Sequence, residues 1–202
     1  MARGLLAELE GRPEEAARMY HQAAPAFPGV AAFRLGNLAL AAGDPAEAAS
    51  RYREALRHDP DHAMAHYQLA VALEPGAPEE ALGHVDRALA LDPPAAWAVD
   101  RLAQPGRLLA LSVGTTNPLR ARALLLRGRL LRALDRPGAE AAWQAVPDFS
   151  PADTEGLLAL GRSALARGDA GAGALWLQAY LEAGVERTGV TADVALWGPG
   201  YV

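Results

Sequence analysis

Residues 29–62 read GVAAFRLGNLALAAGDPAEAASRYREALRHDPDH, and the spacing inside this stretch decides the fold. Ala48, Tyr52 and Ala55 follow one another at steps of 4 and 3, which lays them along one face of a helix. The small Ala positions let a neighbouring helix come close, while Tyr52 fills the space beside it. Pro60 stands 5 residues beyond Ala55 and ends the helix, because its ring removes a backbone donor and collides with the preceding turn. Upstream, Gly36 of the pair Leu35-Gly36 lies 12 residues before Ala48 and marks the closest approach of a second apolar helix. Gly43-Asp44-Pro45 between them is a turn signal. The stretch predicts two antiparallel helices joined by a tight turn.

The spacing recurs along the chain. Ala16, Tyr20, Ala23 and Pro28 repeat it on one side, and Ala81, Val85, Ala88 and Pro93 on the other. Ala139, Trp143, Val146 and Pro151 give a further copy. Ala172, Trp176, Ala179 and Gly184 give a last one without the Pro, in a register ambiguous by one residue. Leu69-Ala70, Arg127-Gly128 and Leu160-Gly161 hold the place of Leu35-Gly36. Pro28, Pro60 and Pro93 each close a helical segment and are separated by 32 and 33 residues, a period in the range of helical repeat arrays.

On these residues the chain resembles the tetratricopeptide repeat, a helix–turn–helix unit of about 34 residues. Leu35-Gly36-Asn37, Gly43-Asp44, Glu47-Ala48, Tyr52, Ala55-Leu56 and Asp59-Pro60 each stand where the family pattern places such a residue. The resemblance implies an all-α, right-handed solenoid of about five helix hairpins, whose first helices line a concave groove that takes peptides or helices of partner proteins.

The expected organisation follows the period. Residues 1–93 form N-terminal repeats, the first of them truncated, and residues 118–184 form C-terminal repeats. Residues 94–117, broken by Pro105-Gly106, read as an irregular helical connector that joins the two blocks or serves as a hinge or binding element. Residues 185–202 read as a tail that caps the last exposed face.

Composition narrows the function. Half of the 202 residues are hydrophobic, mostly Ala and Leu, and few are aromatic, which favours helices over sheets. Net charge is −5, and no long basic stretch supplies a nucleic-acid footprint. All 19 Lys and Arg positions are Arg, which fits the coding bias of a GC-rich genome, and a bacterial source is expected. There is no Cys, so disulfides and thiolate metal sites are excluded. No apolar run of about 18 residues offers a membrane span, and Met1-Ala2-Arg3-Gly4 followed by Leu5 to Glu8 meets charge too early for a signal peptide. A cytoplasmic location is expected.

Carried onto this sequence, the family's groove falls on Phe33, Asn37 and Leu40 in the second repeat and on Met64, Tyr67, Val71 and Glu74 in the third. It continues over Arg122, Leu125, Arg129 and Arg132 in the fourth and Leu158, Arg162 and Leu165 in the fifth. The N-terminal half is then apolar and aromatic, and the C-terminal half carries Arg122, Arg129, Arg132 and Arg162 at helical spacing. Guanidinium forks suit carboxylates, so the expected partner is a protein or peptide with an acidic segment or a C-terminal carboxylate. The Lys–Asn clamp of some family members has no counterpart in a chain without Lys.

Other chemistry finds little support. His58, His62 and His66 are spaced by four, but Pro60 breaks the helix between the first two, so they cannot share a face. His21 and His84 read as isolated exposed residues. Gly114-Thr115-Thr116 lacks the Lys and the strand of a phosphate loop. Glu14-Glu15 and Glu79-Glu80 fall in first turns, where they complement the helix dipole. The four Trp are expected to pack between hairpins. No cofactor or metal is called for, and a non-enzymatic interaction scaffold is the leading reading. A self-associating module and a regulatory part of an enzyme complex are the alternatives.

Overall fold

A computed structural model describes residues 1–91, 118–146 and 155–188. The connector expected at 94–117 and the tail beyond 188 lie outside the described residues. Within them the chain is all-helical: α1 (Ala2–Leu9), α2 (Pro13–Ala23), α3 (Pro28–Ala41), α4 (Pro45–His58), α5 (Ala63–Leu73), α6 (Pro78–Ala90), α7 (Pro118–Ala133), α8 (Ala139–Gln144), α9 (Glu155–Ala166) and α10 (Ala170–Thr188). Consecutive pairs form five hairpins. Helix α10 runs through Gly184 to Thr188, so the first residues assigned to a tail continue a helix.

Proline opens α2, α3, α4 and α6 at the first helical position, where a missing N–H costs nothing. Pro28 therefore starts α3 rather than closing the helix before it, which has already ended at Ala23. Asp44 caps α4, its Oδ1 accepting from the Glu47 N–H at 3.0 Å. His62 caps α5 with Nδ1, which accepts from the Ala65 N–H at 3.1 Å. A cap of the Asp44 kind contributes about 1 kcal/mol.

Each hairpin closes where a small residue of the first helix meets a large one of the second. A Cβ on Gly36 would lie 2.6 Å from the Tyr52 ring, and one on Gly4 would lie 2.5 Å from the Tyr20 ring. A Cβ on Gly128 would overlap the Trp143 indole. The third hairpin pairs Ala70 with the smaller Val85, both fully buried. In the fifth hairpin Gly161 meets Leu177, and Gly173 rather than Ala172 is the buried small residue of α10. This corrects the expected Ala172/Trp176 register by one. The shift restores the 12-residue step that separates Gly36 from Ala48.

The cores join each hairpin to the next first helix. Ala16 and Tyr20 pack with Leu35; Ala48, Tyr52 and Ala55 with Ala65 and Leu69; Ala81 and Val85 with Ala123, Leu126 and Leu130; Trp143 and Val146 with Leu160. The principal helix pairings connect chain neighbours or helices two apart, as in a solenoid rather than a closed bundle. Exposed ion pairs cross the same seams, among them Arg53–Glu80 at 2.7 Å, Arg127–Asp86 at 2.7 Å and Arg136–Glu79 at 2.8 Å. Pairs of this kind contribute about 1 kcal/mol or less each. No described helix is long and apolar enough to cross a membrane.

His84 is not isolated, as the sequence had implied. Its Nδ1 lies 2.9 Å from Nδ1 of the buried His66, whose Nε2 is 3.0 Å from the Pro60 carbonyl. A carbonyl only accepts, so His66 carries its proton on Nε2 and accepts at Nδ1 from His84. Burial first, then the neighbouring His66, holds the His84 pKa below the usual imidazole value. Glu80 pulls the other way, although the Arg53 hydrogen bond already keeps that carboxylate ionised.

Two outcomes follow. Gly36→Ala should cost about 1–3 kcal/mol by overpacking against Tyr52, and in the Tyr52→Val background the same change should cost clearly less. Urea denaturation of the double-mutant cycle measures this. Second, the unfolded chain protonates His84 before the folded chain does. Stability should be full above the ordinary imidazole pKa and fall as pH drops from there to the lowered folded value. Denaturation midpoints across this window should slope less in His84→Gln than in the parent.

Candidate functional site

The first helices place the expected groove residues in register. Counted from the small residue at each crossing, Phe33, Tyr67, Leu125 and Leu158 share one position, and Asn37, Val71, Arg129 and Arg162 share the next. Leu40, Glu74, Arg132 and Leu165 share a third. The two halves of this stripe differ in how far they are open.

The N-terminal half is closed by the protein itself. Phe33 is only 4% exposed; its ring stacks on His62 with centroids 4.8 Å apart and lies 5.9 Å from the Tyr52 ring. Phe33 is thus a core residue, not an open groove residue, because the turn into α5 folds His62 over it. Asn37 Oδ1 accepts the Tyr52 hydroxyl proton at 2.9 Å. Met64 is half-buried against the second hairpin's core, and Tyr67 and Val71 against the third's. Burial raises the Tyr67 pKa, opposed by the charges of Arg122 and Arg129.

Among the described residues the C-terminal half is open. A cleft of about 420 Å³ lies between α7 and α9. Leu125, Trp143, Leu158 and Ala159 supply its apolar lining, and Arg129, Arg132, Arg162 and Glu155 supply its charges. Trp143 is 2% exposed and its indole N–H donates to the Leu125 carbonyl at 3.3 Å, which fixes the ring beneath the cleft. Three of the four expected Arg therefore meet at one place; Arg122, exposed on α7, does not line it.

The three guanidiniums are not equivalent. Arg129 Nε and Nη2 donate to the two Glu74 oxygens at 2.8 and 3.2 Å, and Nη1 donates to Glu155 at 2.8 Å. One side chain thus ties α5, α7 and α9 together across three hairpins. The hydrogen bond to Glu74, followed by the charges of Glu74 and Glu155 against the cost of burial, raises the Arg129 pKa. Arg132 and Arg162, both exposed, have no carboxylate partner among the described residues. Among the described residues the cleft therefore presents two cations without carboxylate partners over an apolar floor, a surface complementary in charge and polarity to an anion attached to an apolar group.

Trp143 and Glu155 were not expected in the groove. Trp143 belongs to a second helix, and its role depends on Gly128 admitting the ring close to α7. Glu155 shares the register of Met64 and Arg122, so its place on this face is present in the sequence count. Ser163 donates to Glu140 at 2.9 Å and accepts from Arg167, a structural arrangement. Among the described residues no group of three or more His, Asp or Glu is placed to hold a metal.

Comparison with known proteins agrees with this architecture. Residues 33–96 match the family model described as the tetratricopeptide repeat. No curated protein matches the sequence. Among solved structures, one of MamA superposes with a TM-score of 0.72 at 18% identity, covering 93% of this chain and 97% of that one. PilW, described as a type IV pilus biogenesis factor, gives 0.68 at 19% identity, covering 93% and 75%. YrrB, described as a TPR protein with an unusual peptide-binding site, gives 0.65 at 17% identity, covering 92% and 84%. Residues 33–96 thus carry tetratricopeptide repeats, and the described residues share the helical-solenoid fold of these structures.

The Arg129–Glu74 fork is exposed enough for salt to act on it. A Glu74→Gln/Arg129→Met double-mutant cycle should give a coupling of about 0.5–1 kcal/mol in low salt, shrinking toward zero in about 1 M NaCl. Chemical denaturation at the two ionic strengths is the check.

Proposed function

We propose that this protein is a non-enzymatic scaffold of the bacterial cytoplasm that captures a partner protein through the cleft between its fourth and fifth hairpins. The partner offers an acidic group beside an apolar side chain. Carrying this reading is the convergence of Arg132 and Arg162, without carboxylate partners among the described residues, over the floor of Leu125, Trp143 and Leu158. The apolar side chain would cover the Trp143 ring while the carboxylate meets the guanidiniums. The peptide-binding site named for YrrB supports such use of the fold.

The capped tripeptide Asp-Phe-Asp serves as probe, with Asn-Phe-Asn as its neutral counterpart. Calorimetry should show binding of the first and not the second. Arg132→Glu and Arg162→Glu should each weaken it by about tenfold or more, since a hydrogen bond to a charged group is worth roughly 1.5–3 kcal/mol. Equal affinity of both variants and the parent would refute the assignment.

A second reading has its own observation. Leu6 and Leu9 on the first hairpin are 54% and 59% exposed. Leu6 stands two residues after Gly4, as Leu38 stands two after Gly36, and Leu38 packs against the preceding hairpin. In self-association this end face would receive another copy, and the mass from light scattering would rise with concentration and fall back in Leu6→Gln.

A further inference from the structure

We infer that Glu155 is a resident anion of the cleft, a carboxylate of the chain itself that occupies Arg129 until a partner's carboxylate replaces it. The inference rests on the cleft reading above and concerns how that cleft is regulated. Arg129 carries two carboxylates that differ in kind. Glu74 takes two of its nitrogens in a fork and lies outside the cleft, on the third hairpin. Glu155 takes the remaining nitrogen through one oxygen, lines the cleft, and is 57% exposed at its side chain. The fork is a seam between hairpins; the single bond sits where a bound anion would have to be.

The neighbours give the exchange its direction. Arg132 and Arg162 line the same cleft, so an incoming carboxylate first meets uncommitted guanidiniums there. As it settles it competes with Glu155 for Nη1 of Arg129. Displacing Glu155 from Arg129 breaks one hydrogen bond to that guanidinium, whereas displacing Glu74 would break two. No net charge is lost in the swap: one carboxylate leaves Arg129 as another arrives. Glu155 thereby lowers affinity for weakly acidic segments and selects for those able to displace it.

The test compares two single variants that remove the same charge at the same 2.8 Å distance from the same guanidinium. Glu155→Gln should bind the Asp-Phe-Asp probe about fivefold more tightly than the parent, the equivalent of one exposed ion pair. Glu74→Gln should stay within about twofold of the parent, with circular dichroism confirming its fold. Equal gains in both variants would mean simple long-range repulsion and would overturn the exchange, while loss of binding in Arg162→Glu would leave the cleft reading standing. If neither the parent nor either variant binds the probe, the cleft reading fails and the exchange falls with it.

Discussion

The contact on which the structure depends is the meeting of a residue without bulk on one helix with a large side chain on the next. At Gly36 and Tyr52, and at Gly128 and Trp143, there is no room for even one added carbon. Close packing of this kind has few alternatives, because a shift of either helix leaves a void on one side and an overlap on the other. It fixes the depth and register of every hairpin. Where the first helix carries Ala70 instead of Gly, the partner shrinks to Val85, which makes room for the added methyl.

Everything larger is built by repeating that contact. Each hairpin leaves one apolar flank uncovered, and the next first helix covers it, which yields a line of small cores in place of one large core. The arginine pairs that cross the seams add orientation more than energy. In the fourth hairpin the same contact has a second consequence. Trp143 is drawn so close to α7 that its ring floors the space between α7 and α9, and the cleft is there because the glycine is.

What was legible in the sequence follows from this. The alternation of small and large residues at steps of 4 and 3 is a local pattern with one physical solution, so the hairpins and most of their boundaries could be read. The register of Arg129, Arg132 and Arg162 followed from the same count, and they do come together. Phe33 obeyed that count as well, yet it is buried, because its cover comes from His62, in a turn whose path the helical period does not describe. The His66–His84 bond joins residues 18 apart on facing helices and leaves no trace in either helix alone. The Gly173 register was undecidable locally: Gly171 and Gly173 flank Ala172, and only the depth of Gly161 selects between them.

The most direct measurement is the indole N–H resonance of Trp143 in a nuclear magnetic resonance titration with an acidic, phenylalanine-containing peptide. That ring is both the large partner of Gly128 and the floor of the cleft. The account predicts that this resonance moves together with backbone amides of α7 and α9, and that α1 to α4 stay still. A Trp143 signal that does not respond while amides elsewhere do would contradict it.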